Sequence, residues 1–233
     1  MLRYQGQILG REFPTSMQDG GFVTRVVCPE QDSLHPDNQS EQVALAEQGL
    51  HQAGLLAPKP QLLGMDLLSD STDPCGQEGE RPSWMLLYTS FVHTCSPLRC
   101  GDHFAPIPLY RLPAIANGDH KQIIKWQEDW EACDQLQMNG SIAEHAVLHE
   151  ISEVGSRLQR RGSDLARRLE GLCGIPTYYY LYRVGGLSKA AELARPCPGC
   201  GGNWALAAPL HEIFDFKCDP CRLVSNLSWD FKD

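Results

Sequence analysis

Two cysteine pairs near the end of this 233-residue chain have the spacing of a metal site. Two residues separate Cys197 from Cys200 and Cys218 from Cys221, and seventeen residues lie between the pairs. Two Cys-x-x-Cys turns that face each other close a tetrahedral shell of four thiolates around zinc. Because such a shell leaves no open position for water or substrate, the spacing predicts one structural Zn²⁺ per chain and not a catalytic one.

Apolar runs within and after the spacer predict short strands, so residues 190–233 are predicted to form a zinc ribbon. Disulfide bonds or unrelated free thiols are the alternatives. The chain opens with Met1, Leu2, Arg3 and Tyr4 and has no apolar signal-peptide core there. This favours the cytoplasm, where thiols stay reduced. No apolar stretch has the length needed to cross a bilayer, so we expect no membrane partner.

A second group of candidate ligands lies between the strands predicted upstream and the helices predicted downstream. His93, Cys95, Cys100 and His103 fall within a short segment broken by proline and glycine. Imidazole and thiol groups suit a second zinc, or a thiol activated by a neighbouring imidazole. The alternative is that loop packing and backbone hydrogen bonds satisfy these side chains, since the spacing matches no standard zinc finger.

Two helices are predicted in the middle of the chain, His120–Met138 and a longer one over Ser141–Leu172. In the first, Ile123, Trp126 and Trp130 recur at helical spacing and are predicted to fill a core. The second has a leucine-rich stripe opposite a basic surface. That surface is either a solvated face with ion pairs or a phosphate-binding ridge. Its arginines are Arg157, Arg160, Arg161, Arg167 and Arg168.

A tyrosine-rich segment after the helices predicts a strand. Alternation places Tyr178, Tyr180 and Tyr182 on one face. If exposed beside the arginines, these rings would form a stacking platform for single-stranded nucleic acid. If half-buried, they are sheet residues whose hydroxyl groups find hydrogen-bond partners.

The net charge of −9 argues against a nucleic-acid-binding surface that covers the whole protein. Residues 1–92 carry 5 Lys or Arg against 12 Asp or Glu, residues 93–189 carry 11 of each, and residues 190–233 carry 4 against 6. The acidic excess therefore belongs to the N-terminal part, and the ribbon itself is not basic.

The predicted fold class is α+β in three units. Residues 1–92 combine a strand over Phe22–Cys28, a helix over Ser40–Ala53 and apolar runs at Pro58–Asp66 and Trp84–Val92. This order suggests a small ferredoxin-like sheet that is one strand short. Residues 93–189 form a mostly helical middle region with the tyrosine strand, and residues 190–233 form the zinc ribbon.

Long strings of the sequence resemble a bacterial family of uncharacterised proteins described as zinc-ribbon-containing and as candidates for nucleic-acid binding. They are residues 93–101, 117–126 and 176–186 together with the terminal cysteine pairs. The resemblance implies zinc ligation by the four cysteines and assigns no catalytic residue. It also implies a further strand-like segment before Tyr4, which would complete the sandwich.

Three functions follow from these patterns. The first is a zinc protein that binds RNA or DNA through the arginine surface and the tyrosine strand. The second is an adaptor whose acidic N-terminal unit binds another protein. The third is an enzyme or metal-handling protein that uses the His93–His103 segment.

Overall fold

The computed structural model describes residues 1–72 and 81–231 and shows a mixed α+β protein. The described helices are α1 (Glu41–Gln52), α2 (Lys121–Asn139), α3 (Glu144–Ser152), α4 (Arg157–Cys173) and α5 (Lys189–Leu193). The described strands are β1 (Thr15–Gln18), β2 (Gly21–Thr24), β3 (Met85–Leu87), β4 (Leu98–Cys100), β5 (Thr177–Leu181), β6 (Ala205–Leu210), β7 (Phe214–Cys218) and β8 (Leu223–Ser225).

One six-stranded sheet organises the molecule, in the order β4-β3-β5-β8-β7-β6. Strands β3 and β8 flank β5 in parallel, and the other neighbouring pairs are antiparallel. All five residues of β5 are buried, as expected for a central strand made of aromatic and branched side chains. The sheet therefore joins β3 and β4 to the strands of the C-terminal cysteine region.

Helices α2 and α4 cover this sheet through their apolar faces. Trp126 and Trp130 of α2 are buried, as their spacing predicted, and Trp126 packs edge-on against Tyr179 of β5. Gly162 allows α4 to come close, because a Cβ there would lie 2.2 Å from the Tyr179 ring and 2.6 Å from the Trp126 indole nitrogen. A glycine at this point sets the distance between helix and sheet.

The single long helix predicted over Ser141–Leu172 is two helices in the structure. Helix α3 ends at Ser152, and Gly155 then takes the left-handed backbone conformation with φ 89°. Ser156 begins α4 by accepting a hydrogen bond from the Gln159 amide at 3.1 Å. The leucine periodicity continues across this break, which is why periodicity alone concealed it.

The N-terminal region differs from the predicted ferredoxin-like sandwich. Its valine-rich run contributes only β2, which pairs with β1 in an exposed two-stranded hairpin. The run Pro58–Asp66 contains no strand. Strand β3 pairs with β4 and β5, because a fully apolar strand is best buried between two neighbours inside a large sheet. Helix α1 forms as predicted, with Ser40 as its N-cap.

Candidate metal centre and basic helix face

The four C-terminal cysteines converge on one point. The Sγ atoms of Cys197, Cys200, Cys218 and Cys221 all lie within 4.8 Å of one another. Those of Cys200 and Cys218 are 3.6 Å apart. A tetrahedron with Zn–S bonds of about 2.3 Å has edges of about 3.8 Å. The sulfur arrangement therefore fits a single zinc ion, and among the described residues it is the one group of three or more candidate ligands that gathers in this way.

Tight turns position the first pair of thiols. The Gly201 amide donates to the Cys197 carbonyl and the Cys197 amide donates to the Gly202 carbonyl, both at 2.8 Å. Gly201 has φ 75°, a conformation that side-chain-bearing residues rarely adopt. A Cβ on Gly199 would lie 2.8 Å from the Cys221 sulfur. The glycines therefore allow the first turn to approach the second closely enough for sulfur atoms of both turns to bind the same ion.

The surroundings of these thiols shift their pKa values in opposite directions. A backbone hydrogen bond from Gly202, followed by contacts with the other thiols, lowers the pKa of Cys200 to about 7. Burial raises the pKa of Cys218 to about 11. Zinc binds thiolates, so metal binding at this site would release protons, including that of Cys218, whose pKa burial raises to about 11.

Side chains outside the cysteine region anchor the second Cys-x-x-Cys turn to the rest of the protein. Arg222 donates from Nε and Nη2 to the Glu170 carboxylate of α4 at 3.0 and 2.8 Å. The Tyr178 hydroxyl of β5 donates to Asp219 at 2.6 Å. Sequence reasoning missed these contacts, since they join positions far apart in the chain. The cysteine cluster is consequently tied to both α4 and the central strand.

A half-buried arginine packs beside the first turn. The Arg195 guanidinium lies 4.7 Å from the ring centroids of both Trp204 and Phe216. The Trp204 indole donates to the Arg195 carbonyl at 3.0 Å. Contacts of this kind are stronger when they are shielded from water. Sequence reasoning also missed this contact between Arg195 and the Trp204–Phe216 ring pair near Cys197.

The five candidate arginines share one exposed face of α4. They extend from Arg157 to Arg168, over three helical turns or about 16 Å. Arg161 pairs with Asp129 of α2 at 2.7 Å, and Arg167 pairs with Asp164. The other three side chains are exposed and make no ion pair with the described residues: Arg157, Arg160 and Arg168. The five arginines together are called the α4 arginine face.

The tyrosine platform is not formed. Tyr178 and Tyr180 are buried at 3% and 6% exposure, and Tyr182 is half-buried. Tyr178 packs edge-on against Trp84, and Tyr180 donates its hydroxyl to Asn226 at 3.1 Å. Tyr178 and Tyr180 are therefore sheet residues whose rings pack inside the protein, because the central position of β5 buries both of its faces. Tyr178 and Tyr180 present no exposed ring face.

The His93–His103 segment does not gather its four candidate ligands. The Cys100 sulfur lies 3.6 Å from His103 Nδ1 at the end of β4, while exposed His93 and buried Cys95 line a cavity against α2. The Cys95 sulfur accepts a hydrogen bond from the Asp70 amide at 3.2 Å. Burial raises the pKa of Cys95, which is the opposite of what an activated nucleophile needs.

Two proteins of Haemophilus influenzae strain KW20 / Rd, each described as an uncharacterized protein, are similar to this chain. One is 51% identical over 235 residues, which cover 98% of this chain and 88% of the relative. The second is 53% identical over 173 residues, which cover 73% and 82%. The chain belongs to the family of these bacterial proteins.

Models of three domains of unknown function match successive parts of this family member. DUF8589 matches residues 1–64, DUF2310 matches residues 79–182 and DUF8594 matches residues 186–231. The cysteine cluster lies within the last of these ranges, and α4 lies within the middle one. No solved structure matches the chain.

Across residues 1–72 and 81–231, none of the helices combines the length and the apolar character needed to span a bilayer.

Proposed function

We propose that this protein holds one structural Zn²⁺ in a C-terminal zinc ribbon and binds nucleic acid through the α4 arginine face. The observation that carries the proposal is the convergence of four thiols beside a sheet whose central strand supports α4. Four thiolates leave zinc no open coordination position, so the metal stabilises structure and does no chemistry. A thiolate centre also requires reduced cysteines, which supports a cytoplasmic location.

The charge distribution on α4 supports a backbone-binding role. After Arg161 and Arg167 have paired with acids, three guanidinium groups remain on one helix face. A local positive potential can bind phosphates even on a protein with a net charge of −9, because exposed charges act over about a Debye length. Since the β5 tyrosines are buried, the proposed contacts are to phosphates and carry no base stacking.

Metal analysis tests the first half of the proposal. Protein purified under reducing conditions should contain one zinc per chain by elemental analysis. Replacement of Cys218 and Cys221 by Ser should abolish zinc retention, whereas replacement of Cys28 and Cys173 by Ser should leave the zinc content unchanged. Full zinc content in the first double variant would refute the assignment.

Fluorescence anisotropy with a labelled duplex tests the second half. Replacing Arg157, Arg160 and Arg168 together by Gln should weaken binding at least tenfold at low salt. It should also reduce the slope of log affinity against log salt by up to about 2.7, since each duplex phosphate contact contributes about 0.9. Zinc content should stay at one per chain.

A matched variant controls for total charge. Arg25, Lys59 and Lys189 are exposed and lie outside α4. Their joint replacement by Gln removes the same charge and should leave the affinity within about twofold. Equal losses in the two triple variants, or no binding by the natural chain at low salt, would remove nucleic acid from the proposed function.

A protein-binding role is the second candidate, and exposed apolar side chains in the N-terminal region favour it. Leu56, Met65 and Leu67 are 87%, 85% and 97% exposed, in a segment without regular secondary structure. Exposed apolar side chains concentrated in one segment favour a site of protein contact. A purified candidate partner should lose binding when these three residues are replaced by Ser and keep it in the Arg157, Arg160 and Arg168 variant.

A further inference from the structure

One of the four clustered cysteines lies at the protein surface. Cys197 and Cys218 are only 2% and 4% exposed, and Cys221 is partly buried, whereas Cys200 is exposed. Of the nine cysteines within residues 1–72 and 81–231, Cys200 is the one classed as exposed. It is therefore the described cysteine most accessible to a reagent in solution.

The residues that follow Cys200 leave its sulfur uncovered. Gly201 and Gly202 carry no side chain, and a Cβ on Gly202 would lie 3.4 Å from the Cys200 sulfur. A residue other than glycine at position 202 would thus place its side chain against this sulfur. Glycine at this position keeps the approach to the thiol open.

A second thiol lies within reach of Cys200. The Sγ atoms of Cys200 and Cys218 are 3.6 Å apart and belong to opposite turns of the cluster. Since a disulfide bond is about 2.0 Å long, these two sulfurs need to approach each other by only about 1.6 Å to form one. Cysteines that respond reversibly to oxidants combine thiolate character and exposure with a second cysteine close by.

We propose that Cys200 is the site at which a peroxide oxidises the cluster, forming a disulfide bond with Cys218 and releasing the zinc ion. The proposal rests on the zinc site proposed above and is independent of nucleic-acid binding. Zinc ligation keeps both sulfurs as thiolates, which are the nucleophilic form of cysteine.

The oxidation takes two displacement steps. The Cys200 thiolate attacks one peroxide oxygen, the O–O bond breaks and hydroxide leaves, which gives a sulfenic acid at Cys200. The Cys218 thiolate then attacks the Cys200 sulfur, the S–O bond breaks and a second hydroxide leaves. The two sulfurs together lose two electrons, and the peroxide is reduced to two hydroxide ions. Two thiolates remain, which is fewer than the four that a structural zinc site uses.

Peroxide treatment of the full-length, reduced, zinc-loaded chain tests the proposal. A chromophoric chelator should detect one zinc released per chain under hydrogen peroxide, and peptide mapping by mass spectrometry should find the first disulfide between Cys200 and Cys218. A thiol reductant with added zinc should restore the metal content.

Two results would overturn the proposal in the natural chain. One is zinc that stays bound while peroxide oxidises other cysteines, and the other is a first disulfide between any other pair. A purified chain without zinc would refute the zinc assignment itself and this proposal with it, so the two failures are distinguishable.

Exchange of one ligand at a time locates the reaction. Cys200→His keeps four zinc ligands, because imidazole also binds zinc, but it removes the exposed thiol. This variant should release zinc at least tenfold more slowly at the same peroxide concentration. Cys221→His makes the same exchange at a partly buried position and should release zinc at the natural rate. Equal rates in the two variants would overturn the proposal.

A variant that keeps all four cysteines provides an independent measurement. Gly202→Leu adds a side chain beside the Cys200 sulfur and should slow zinc release at least threefold. Ala208→Leu adds the same side chain at an exposed position of β6 and should leave the rate unchanged. Natural release rates in both Gly202→Leu and Cys200→His would overturn the proposal.

Discussion

At the level of single residues, glycine decides the geometry of the four-cysteine cluster. The cysteines supply the ligands, but the two turns meet only because nothing projects from Gly199 toward the Cys221 sulfur. Arg195, which lies against both the Trp204 and Phe216 rings, packs just before Cys197. The small residue within the first Cys-x-x-Cys pair therefore contributes to the sulfur geometry together with the cysteines.

Replacing Gly199 by Ala should weaken zinc binding, because the new methyl group must displace the Cys221 sulfur from its place in the shell. We expect the dissociation constant, measured by competition with a chromophoric chelator, to rise about tenfold or more. Gly171 in α4 offers a matched control, since a Cβ there meets no atom within 4 Å. Gly171→Ala should leave zinc affinity unchanged, and equal affinities in the two variants would contradict the prediction.

His120 should make the protein sensitive to acid. Its side chain is 2% exposed, and burial lowers its pKa from 6.5 to about 4. Between these values the unfolded chain binds the proton more readily than the folded chain, so stability falls as the pH falls from about 6.5 to about 4.

Urea denaturation at pH 7 and pH 4.5 measures this effect. Histidine titration should remove about 2 kcal/mol of unfolding free energy over that interval. Between pH 7 and pH 4.5, the unfolding free energy of the His120→Gln variant should fall by about 2 kcal/mol less than that of the natural chain, because glutamine does not titrate. Parallel losses in the two proteins would show that His120 is not responsible.

At the level of elements, α4 serves two surfaces at once. Its buried side, including Leu158, Leu165 and Leu169, packs on the sheet, and its opposite side carries the arginine face. Glu170 near its end holds Arg222 of the ribbon. Any shift of α4 relative to β5 therefore moves both the arginine face and the support of the metal centre.

Gly162→Ala should destabilise the protein by about 1–3 kcal/mol, because the added methyl group would overlap the Tyr179 ring and the Trp126 indole. The higher helix propensity of alanine offsets only about 1 kcal/mol. Chemical denaturation provides the measurement. At Gly49 of α1 a Cβ meets nothing within 4 Å, so Gly49→Ala should instead be neutral or slightly stabilising. Stabilisation by Gly162→Ala would show that α4 packs less closely.

At the level of the whole molecule, the four-cysteine cluster is continuous with the main sheet. Strand β7, which ends at Cys218, pairs with β8, and β8 pairs with the central strand β5. Because α4 packs on β5, loss of zinc should affect regions far from the cysteines. The C-terminal region is thus predicted to stabilise the fold beyond its own residues.

Chelation of zinc should lower hydrogen-exchange protection first in residues 205–225 and to a smaller extent in residues 177–181. Helix α1 lies outside the sheet and should keep its exchange rates. Mass spectrometry of the reduced protein with and without chelator gives the measurement, and zinc restored in excess should reverse the change. Uniform loss of protection across the chain would contradict the prediction, because it would indicate global unfolding and not an effect that decreases with distance from the cysteines.

Local patterns in the sequence were enough for several features. Cysteine spacing predicted the four-thiol cluster, Ser40 predicted the start of α1, and the tryptophan periodicity predicted the buried side of α2. These features depend on residues that are close in the chain, and the physical rules for turns, caps and helix faces act over the same short range.

Only the tertiary structure decided which surfaces are buried. The alternation of tyrosines fits an exposed strand or a central one equally well, and pairing with β3 and β8 settled the matter. The fold likewise pairs Arg3 with Glu128 and Arg11 with Glu131, although more than a hundred residues of sequence separate the partners. Burial and convergence depend on contacts between distant segments, which no local pattern encodes.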